Sequence, residues 1–142
     1  PVWVYDKKNG VIAAIHAGWR GTVAYIVRDT LLRMEKEFGT SGEDVVACIG
    51  PSISLASFEG GEEVYEAFQK NSFDMPRISI RKEETGKHHI DLWEANRMQI
   101  GVPSVQVELA RICTYIHHDE FFSARRLGIK SGRIQSGIMI HK

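Results

Sequence analysis

Neither sign of charge is in excess in this sequence, cysteine is scarce, and no long apolar run occurs. Lys+Arg and Asp+Glu both total 18, so the net charge is zero. That removes the general attraction to polyanions, and nucleic acid is not an expected partner. A local cluster can still hold a single phosphate. The two cysteines, Cys48 and Cys113, form no disulfide framework, which points to a reducing, cytoplasmic setting. No apolar stretch approaches the roughly 20 residues needed to span a bilayer, so no membrane partner is expected. There is neither a Met start nor a signal-peptide pattern. The chain opens on Pro1-Val2-Trp3-Val4-Tyr5, which reads like the middle of a strand. The expectation is that the N-terminal part of the natural protein is missing.

What is present suits a globular domain. The 142 residues are 43% hydrophobic and 25% charged, an ordinary balance with enough chain for a real core. One domain is expected over residues 1–142. Val2 to Tyr5 and Val11 to Ile15 read as a β-hairpin around Asp6-Lys7-Lys8-Asn9-Gly10, with Asn9-Gly10 suiting a tight turn. The second strand lacks alternation and is expected to be buried on both faces. Val23, Val27, Leu31, Met34 and Phe38 form one stripe at helical spacing, predicting a helix over 22–38 with Thr22 as N-cap and Gly39 as C-cap. Val45 to Ile49 reads as a buried strand stopped by Gly50-Pro51. Glu62 to Gln69 reads as a helix with Val64, Ala67 and Phe68 inward. Residues 71–87 read as irregular. His89 to Leu92 ends a strand, and Asp91 caps a helix running through Met98 and Ile100. A strand is expected within 105–113 and a last one over 136–140. Interleaved strands and helices make the class α/β or α+β.

The richest local feature is His16-Ala17-Gly18-Trp19-Arg20-Gly21-Thr22. It joins a strand to a helix, a place where α/β proteins position ligands. Helix amides attract anions, glycines admit close backbone approach, and Arg20 offers a planar fork for phosphate. Trp19 offers a stacking surface, and His16 a base or metal ligand. A tight turn with a buried, hydrogen-bonded histidine and a surface arginine would show the same residue types. Phe121-Phe122-Ser123-Ala124-Arg125-Arg126, followed by Gly132-Arg133, brings charge to a pocket wall or is a basic surface pair beside core aromatics. Cys48 to Ile53 occupies a strand-to-turn corner where nucleophiles are found, but it lacks the G-x-S-x-G elbow, and a structural cysteine is the simpler reading. The adjacent pairs His88-His89 and His117-His118 would point to opposite faces of a strand and so do not chelate one metal.

Taken together, Val11 to Thr22, Cys48 to Ile53, Asp91-Leu92-Trp93-Glu94-Ala95-Asn96, Cys113-Thr114, Phe121 to Arg126 and Gly132-Arg133 closely resemble the ordered motifs of the laccase-domain family. That family is also described as multicopper polyphenol oxidase-like, and its members as purine nucleoside phosphorylases or peptidoglycan-editing factors. The resemblance covers essentially the whole chain. It implies layered mixed β-sheets flanked by helices, resembling the cytotoxic necrotizing factor-like cysteine hydrolase fold. It also implies a zinc held by two histidines and a cysteine, with His16 as the third ligand in chain order. The other two ligands would lie upstream of Pro1. The segment Ser54 to Gly60 departs from the family's Cys-Tyr-Glu-Val run. The helix after Asp91 meets Gly101-Val102-Pro103 early, where family members have a few more residues.

On this basis the expected function is a zinc-dependent purine nucleoside enzyme, phosphorolysing adenosine and inosine and deaminating adenosine. Zinc with an open position would lower the pKa of bound water to about 7. His16 and Arg20 would be catalytic, and Trp19, Gly21, Thr22, Phe122, Ser123, Arg125 and Arg126 would bind nucleoside and phosphate. Copper is poorly supported, because six histidines contain no H-x-H pair. One alternative is a Cys-His hydrolase editing peptidoglycan precursors, with His16 as base for an upstream cysteine. Another is a non-catalytic domain that binds a nucleoside or a partner.

Overall fold

A computed structural model describes residues 1–101 and 105–141. In chain order the elements are β1 (Val2–Asp6), β2 (Val11–Ile15), α1 (Trp19–Val23), α2 (Ile26–Phe38), β3 (Val45–Ile49), β4 (Glu59–Gly60), α3 (Glu62–Lys70), α4 (Met75–Ile78), β5 (Ser79–Arg81), β6 (His88–Ile90), α5 (Leu92–Ile100), β7 (Gln106–Leu109) and α6 (Ala124–Leu127). The architecture is mixed α/β, with two sheets flanked by helices. The chain divides into two compact units. The first is Pro1–Gly50, Asn96–Ala110 and Gly137–Lys142; the second is Pro51–Ala95 and Arg111–Ser136.

The first unit is built on a four-stranded sheet of order β2-β1-β3-β7. Strand β1 pairs antiparallel with both β2 and β3, and β3 pairs parallel with β7. Alternation is clean on β1 and β3: Val2, Val4, Val45, Ala47 and Ile49 are buried, with Val2 opposite Ile49 and Val4 opposite Ala47. Val27 and Met34 of α2, with Ile100 and Val105, add to this core. On the other face of the sheet the Trp3 ring lies against Gly50. A Cβ at Gly50 would stand 2.6 Å from Trp3 Cζ3 and 2.9 Å from Pro1 Cγ, so only glycine fits.

The hairpin turn is made by Asp6, which is fully buried. Its Oδ1 accepts the amides of Lys8 and Asn9 at 3.0 Å, and its Oδ2 accepts Asn9 Nδ2 at 2.8 Å. Gly10 has φ 62° and its amide donates to Asp6 O. The loop is therefore four residues long, and the left-handed position is Gly10, not the Asn9-Gly10 pair. Among the described residues β2 is an edge strand, and only its Ile15 is buried, so the expectation of burial on both faces is corrected. Its unalternating run reflects partial cover by α2, and Ala14 is exposed.

The expected helix over 22–38 is two helices. The chain breaks at Ala24-Tyr25, where Tyr25 is left-handed (φ 58°, ψ 34°) and precedes α2 as its N-cap residue. Thr22 lies inside α1, whose N-cap is Gly18. Gly39 closes α2 at φ 68°, its amide donating to Glu35 O, as the sequence implies.

The second unit holds a three-stranded antiparallel sheet of order β4-β6-β5. Its core includes Phe58, Val64, Phe68, Phe73, Met75, Ile78, Ile90 and Leu92. Phe68 and Phe73 meet edge-on at 5.0 Å. Asp91 Oδ1 accepts the Glu94 amide at 3.0 Å, the expected cap. Residues 71–87 are not wholly irregular: Met75-Pro76 starts α4, with proline in its first turn where its missing N–H costs nothing, and Ser79–Arg81 pairs with β6. Residues 136–140 are not a strand. Among the described residues no strand pairs with them, and an extended segment without a ladder is not held as one; Met139 is 80% exposed. Val102, Pro103 and Ser104, where the shortened loop is expected, lie outside the described residues.

Burial opposes the charge on Asp6. The nearby Thr40 hydroxyl, which makes no hydrogen bond of standard geometry, and the bonds from Asn9 and Lys8 outweigh it, holding the carboxyl at about 2 instead of 3.8. A depressed carboxyl stabilises the fold above its unfolded pKa and loses that contribution as pH falls through the folded one. Urea unfolding is expected to show about 2 kcal/mol lost between about pH 5 and about pH 2. Asp6→Asn should remove most of that pH dependence.

Candidate active site

The residues expected to carry chemistry divide between the two units. His16, Trp19, Arg20, Gly21 and Thr22 belong to the first, and Phe122, Ser123, Arg125 and Arg126 to the second.

In the first unit, β2 ends at Ile15 and His16 follows, exposed. A buried structural imidazole is thereby excluded. Gly18 lies under the ring: a Cβ there would stand 3.3 Å from His16 Nε2. A Cβ at Gly21 would stand 3.3 Å from His16 O and 3.4 Å from Ile26 Cγ2. Both glycines thus let the turn close tightly around the histidine. Arg20 is exposed, and its guanidinium lies over the Trp19 ring at 4.5 Å. Thr22 is fully buried. Its amide donates to Gly18 O at 2.8 Å, and its hydroxyl faces Gly18 O at 2.9 Å and Ala17 O at 3.2 Å. The Thr22 amide is therefore committed to α1.

In the second unit, Ser123 is buried and caps α6 by accepting the Arg126 amide. Arg125 Nη1 donates to Glu59 O at 2.8 Å, and its guanidinium lies 5.2 Å from the Phe58 ring. Arg126 lies over the Tyr115 ring at 5.2 Å. Phe122 is 55% exposed and covers Gly132, where a Cβ would come within 2.8 Å of the ring. Arg133 folds onto its own loop, Nη1 donating to Ser131 O and Nη2 to Ile129 O. The basic segment thus has extensive local engagements.

The sequence reading missed what surrounds Cys113. Cys113 is 5% exposed; its Sγ accepts from Ser54 N at 3.4 Å and Ser54 Oγ at 3.1 Å and donates to Ser57 Oγ at 3.5 Å. Burial pushes the thiol up, but the hydroxyls of Ser54 and Ser57 and the amides of Ser54 and Ile116 prevail and bring it to about 7. Nearby, Trp93 Nε1 donates to Ser52 Oγ at 2.7 Å. In the sequence, the serines between Ser52 and Ser57 and the Cys113-Thr114 motif are the signals of it. Cys48 differs: burial and Glu108 raise its thiol.

Among the described residues no group of three His, Cys, Asp or Glu side chains is placed to hold a metal ion. His88 stacks on Tyr65 at 3.9 Å and His89 Nδ1 meets Leu55 O at 3.0 Å, so both imidazoles of that pair are engaged in the fold. No helix among the described residues is long and apolar enough to cross a membrane.

A family model described as multi-copper polyphenol oxidoreductase laccase matches residues 1–141. The chain belongs to this laccase family. It is 93% identical over 145 residues to a protein of Bacteroides thetaiotaomicron named purine nucleoside phosphorylase, covering all of this chain and 54% of that protein. It is 43% identical over 141 residues to a protein of an unknown prokaryotic organism named adenosine deaminase RL5, covering 97% and 53%. Among solved structures, YlmD from Geobacillus stearothermophilus superposes with a TM-score of 0.79 at 27% identity, covering 89% of this chain and 48% of that one. The laccase-family chain therefore spans about half the length of the curated relatives it matches.

For this family member, the serine hydroxyls are expected to set the Cys113 thiol. In a Cys48→Ser background, Ser54→Ala should move the thiolate absorbance transition upward from about 7 towards 9. An unmoved transition would show that the hydroxyl is not the cause.

Proposed function

We propose that the protein containing this chain is a cytoplasmic purine nucleoside enzyme that phosphorolyses adenosine and inosine and deaminates adenosine. The observation that carries the reading is the 93% identity, along the whole chain, to a protein named purine nucleoside phosphorylase. The name adenosine deaminase borne by a 43% identical relative supports the second activity. The geometry agrees, since His16 and Arg20 are both solvent-facing at the strand-to-helix turn.

The described residues do not by themselves fit a zinc ion. A catalytic zinc takes three protein ligands, and His16 offers one imidazole. We therefore assign His16 as one ligand of a zinc whose other ligands lie outside the described residues. Zinc is preferred to copper on the histidine pattern. When bound, such an ion supplies a water ionised near neutral pH.

The remaining roles belong to the chain's own side chains. In phosphorolysis a phosphate oxygen bonds to the ribose C1′ as the C1′–N9 bond breaks, and the purine leaves with a proton. Arg20 suits the phosphate, because a guanidinium fork matches its oxygens and stays charged. Arg125 and Arg126 are weaker candidates for that role, being held against Glu59 O and Tyr115. Arg20 covers one face of Trp19, so a stacked purine uses the other; Phe122 is a second exposed ring. Gly21 and Thr22 serve by shaping the turn, and Ser123 by holding Arg126. In deamination a water oxygen adds at the purine C6 and ammonia leaves. The Cys-His hydrolase alternative gains nothing from Cys113, which is held by serine hydroxyls.

The full-length protein incubated with inosine is expected to yield hypoxanthine and ribose 1-phosphate only when phosphate is present. With adenosine it should yield inosine without phosphate. No product under any of these conditions would overturn the proposal. His16→Ala should lower turnover about 10²–10⁴-fold and reduce the zinc content. Arg20→Ala should chiefly raise the KM for phosphate, by about 10-fold or more.

A further inference from the structure

Helix α2 begins without a capping side chain of its own, because its N-cap residue Tyr25 is left-handed and makes no side-chain cap bond. The cap comes from α5 instead. Gln99 Oε1 accepts the Val27 amide at 3.2 Å and the Arg28 amide at 3.4 Å, two of the groups that a helix start leaves unpaired. The other end of the same amide, Nε2, donates to Thr22 O at 2.8 Å. One side chain thus ties the end of α1 to the start of α2 across the break.

Asn96, one turn earlier on α5, completes the clamp. Its Nδ2 donates to Thr22 Oγ1 at 3.1 Å, which leaves the Thr22 proton for Gly18 O at 2.9 Å. Gly18 in turn lies against the His16 ring, where a Cβ would stand 3.3 Å from Nε2. Asn96, Thr22 and Gln99 are all buried, so losing a partner leaves a polar group poorly satisfied. The chain of contacts runs from α5 through Thr22 and Gly18 to the imidazole.

We propose that Asn96 and Gln99 are positioning residues for His16. They touch no substrate; they hold the carbonyl of Gly18 and the α1–α2 break so that the imidazole is presented in one orientation. This rests on the reading of His16 as part of the catalytic centre. Amides are suited to the task because each both donates and accepts, so one side chain fixes two backbone groups of opposite polarity.

The test uses the full-length protein. Asn96→Ala is expected to lower kcat about 10–100-fold, the range seen when the partners that orient a functional side chain are removed, with KM for inosine held within roughly twofold. The His16 imidazole resonances, assigned by their loss in His16→Ala, should shift in Asn96→Ala. Gln99→Glu keeps an acceptor for Val27 and Arg28, and with it the start of α2, but loses the donor to Thr22 O. With the carboxyl ionised it should show the same kcat effect and the same shift, whatever its loss of Tm. A fall in Tm with kcat per folded molecule unchanged and His16 resonances unmoved would overturn the proposal, and Gln99→Glu decides it if Asn96→Ala does not fold. Should the wild type act on no nucleoside, the functional reading fails by itself. Moved His16 resonances in these variants would then still support the positioning role, and unmoved ones would refute it.

Discussion

Pairing on both edges of β1 is the constraint on which the first unit depends. Val2 is fixed against Ile15 on one side and Ile49 on the other. A register slip by one residue would turn Val2, Val4 and Asp6 outward together. That register decides where β2 stops, and so where His16 leaves the sheet. Because Asp6 closes the hairpin with its own carboxylate, the turn at one end of β1 and the His16 turn at the end of β2 are set by one short stretch of chain. The edge position of β2 is equally consequential: a central strand would have its last residues covered, whereas here the chain leaves the sheet directly into exposed residues.

The polar interior is organised differently in the two units. In the first, amide side chains bridge backbone groups that helix ends leave open, and they do so over long sequence distances. In the second, hydroxyls converge on sulfur. Ser54 is 59 positions from Cys113 and Ser57 is 56. Both arrangements bury groups whose full bonding must be satisfied, because an orphan donor or acceptor in the interior carries the whole cost of its lost water. Such networks specify one local geometry more narrowly than apolar packing does.

Much of this fold is legible in the sequence because it is written locally. The Val27 and Met34 positions of α2, the Gly39 cap and the Asp91 cap follow from spacing and from residues adjacent to the elements they end. The break at Tyr25 is not legible, since the stripe from Val23 to Phe38 continues in phase across it and the groups that stabilise it lie 72 positions away on Gln99. The exposure of β2 depends on which strands flank it, which composition does not state. Residues 136–140 end in the apolar run Ile138-Met139-Ile140, which suits a strand, but pairing is a property of two segments and not of one. At the candidate site, His16 and Arg20 stand out by residue type and motif. Asn96 ends one of the family motifs, but its part in the turn, like that of Gln99, is not announced, because an amide on a helix says nothing until its partners are known.

Position 50 illustrates how such packing limits a gene. The Trp3 ring and Pro1 leave no room for a Cβ on Gly50. Every single-nucleotide missense change of a glycine codon adds at least that atom. No mutational neighbour of this residue is sterically neutral, so drift through the position requires both Trp3 and Pro1 to give way first. The order in which these sites change along a lineage is therefore set in advance by the contacts among them.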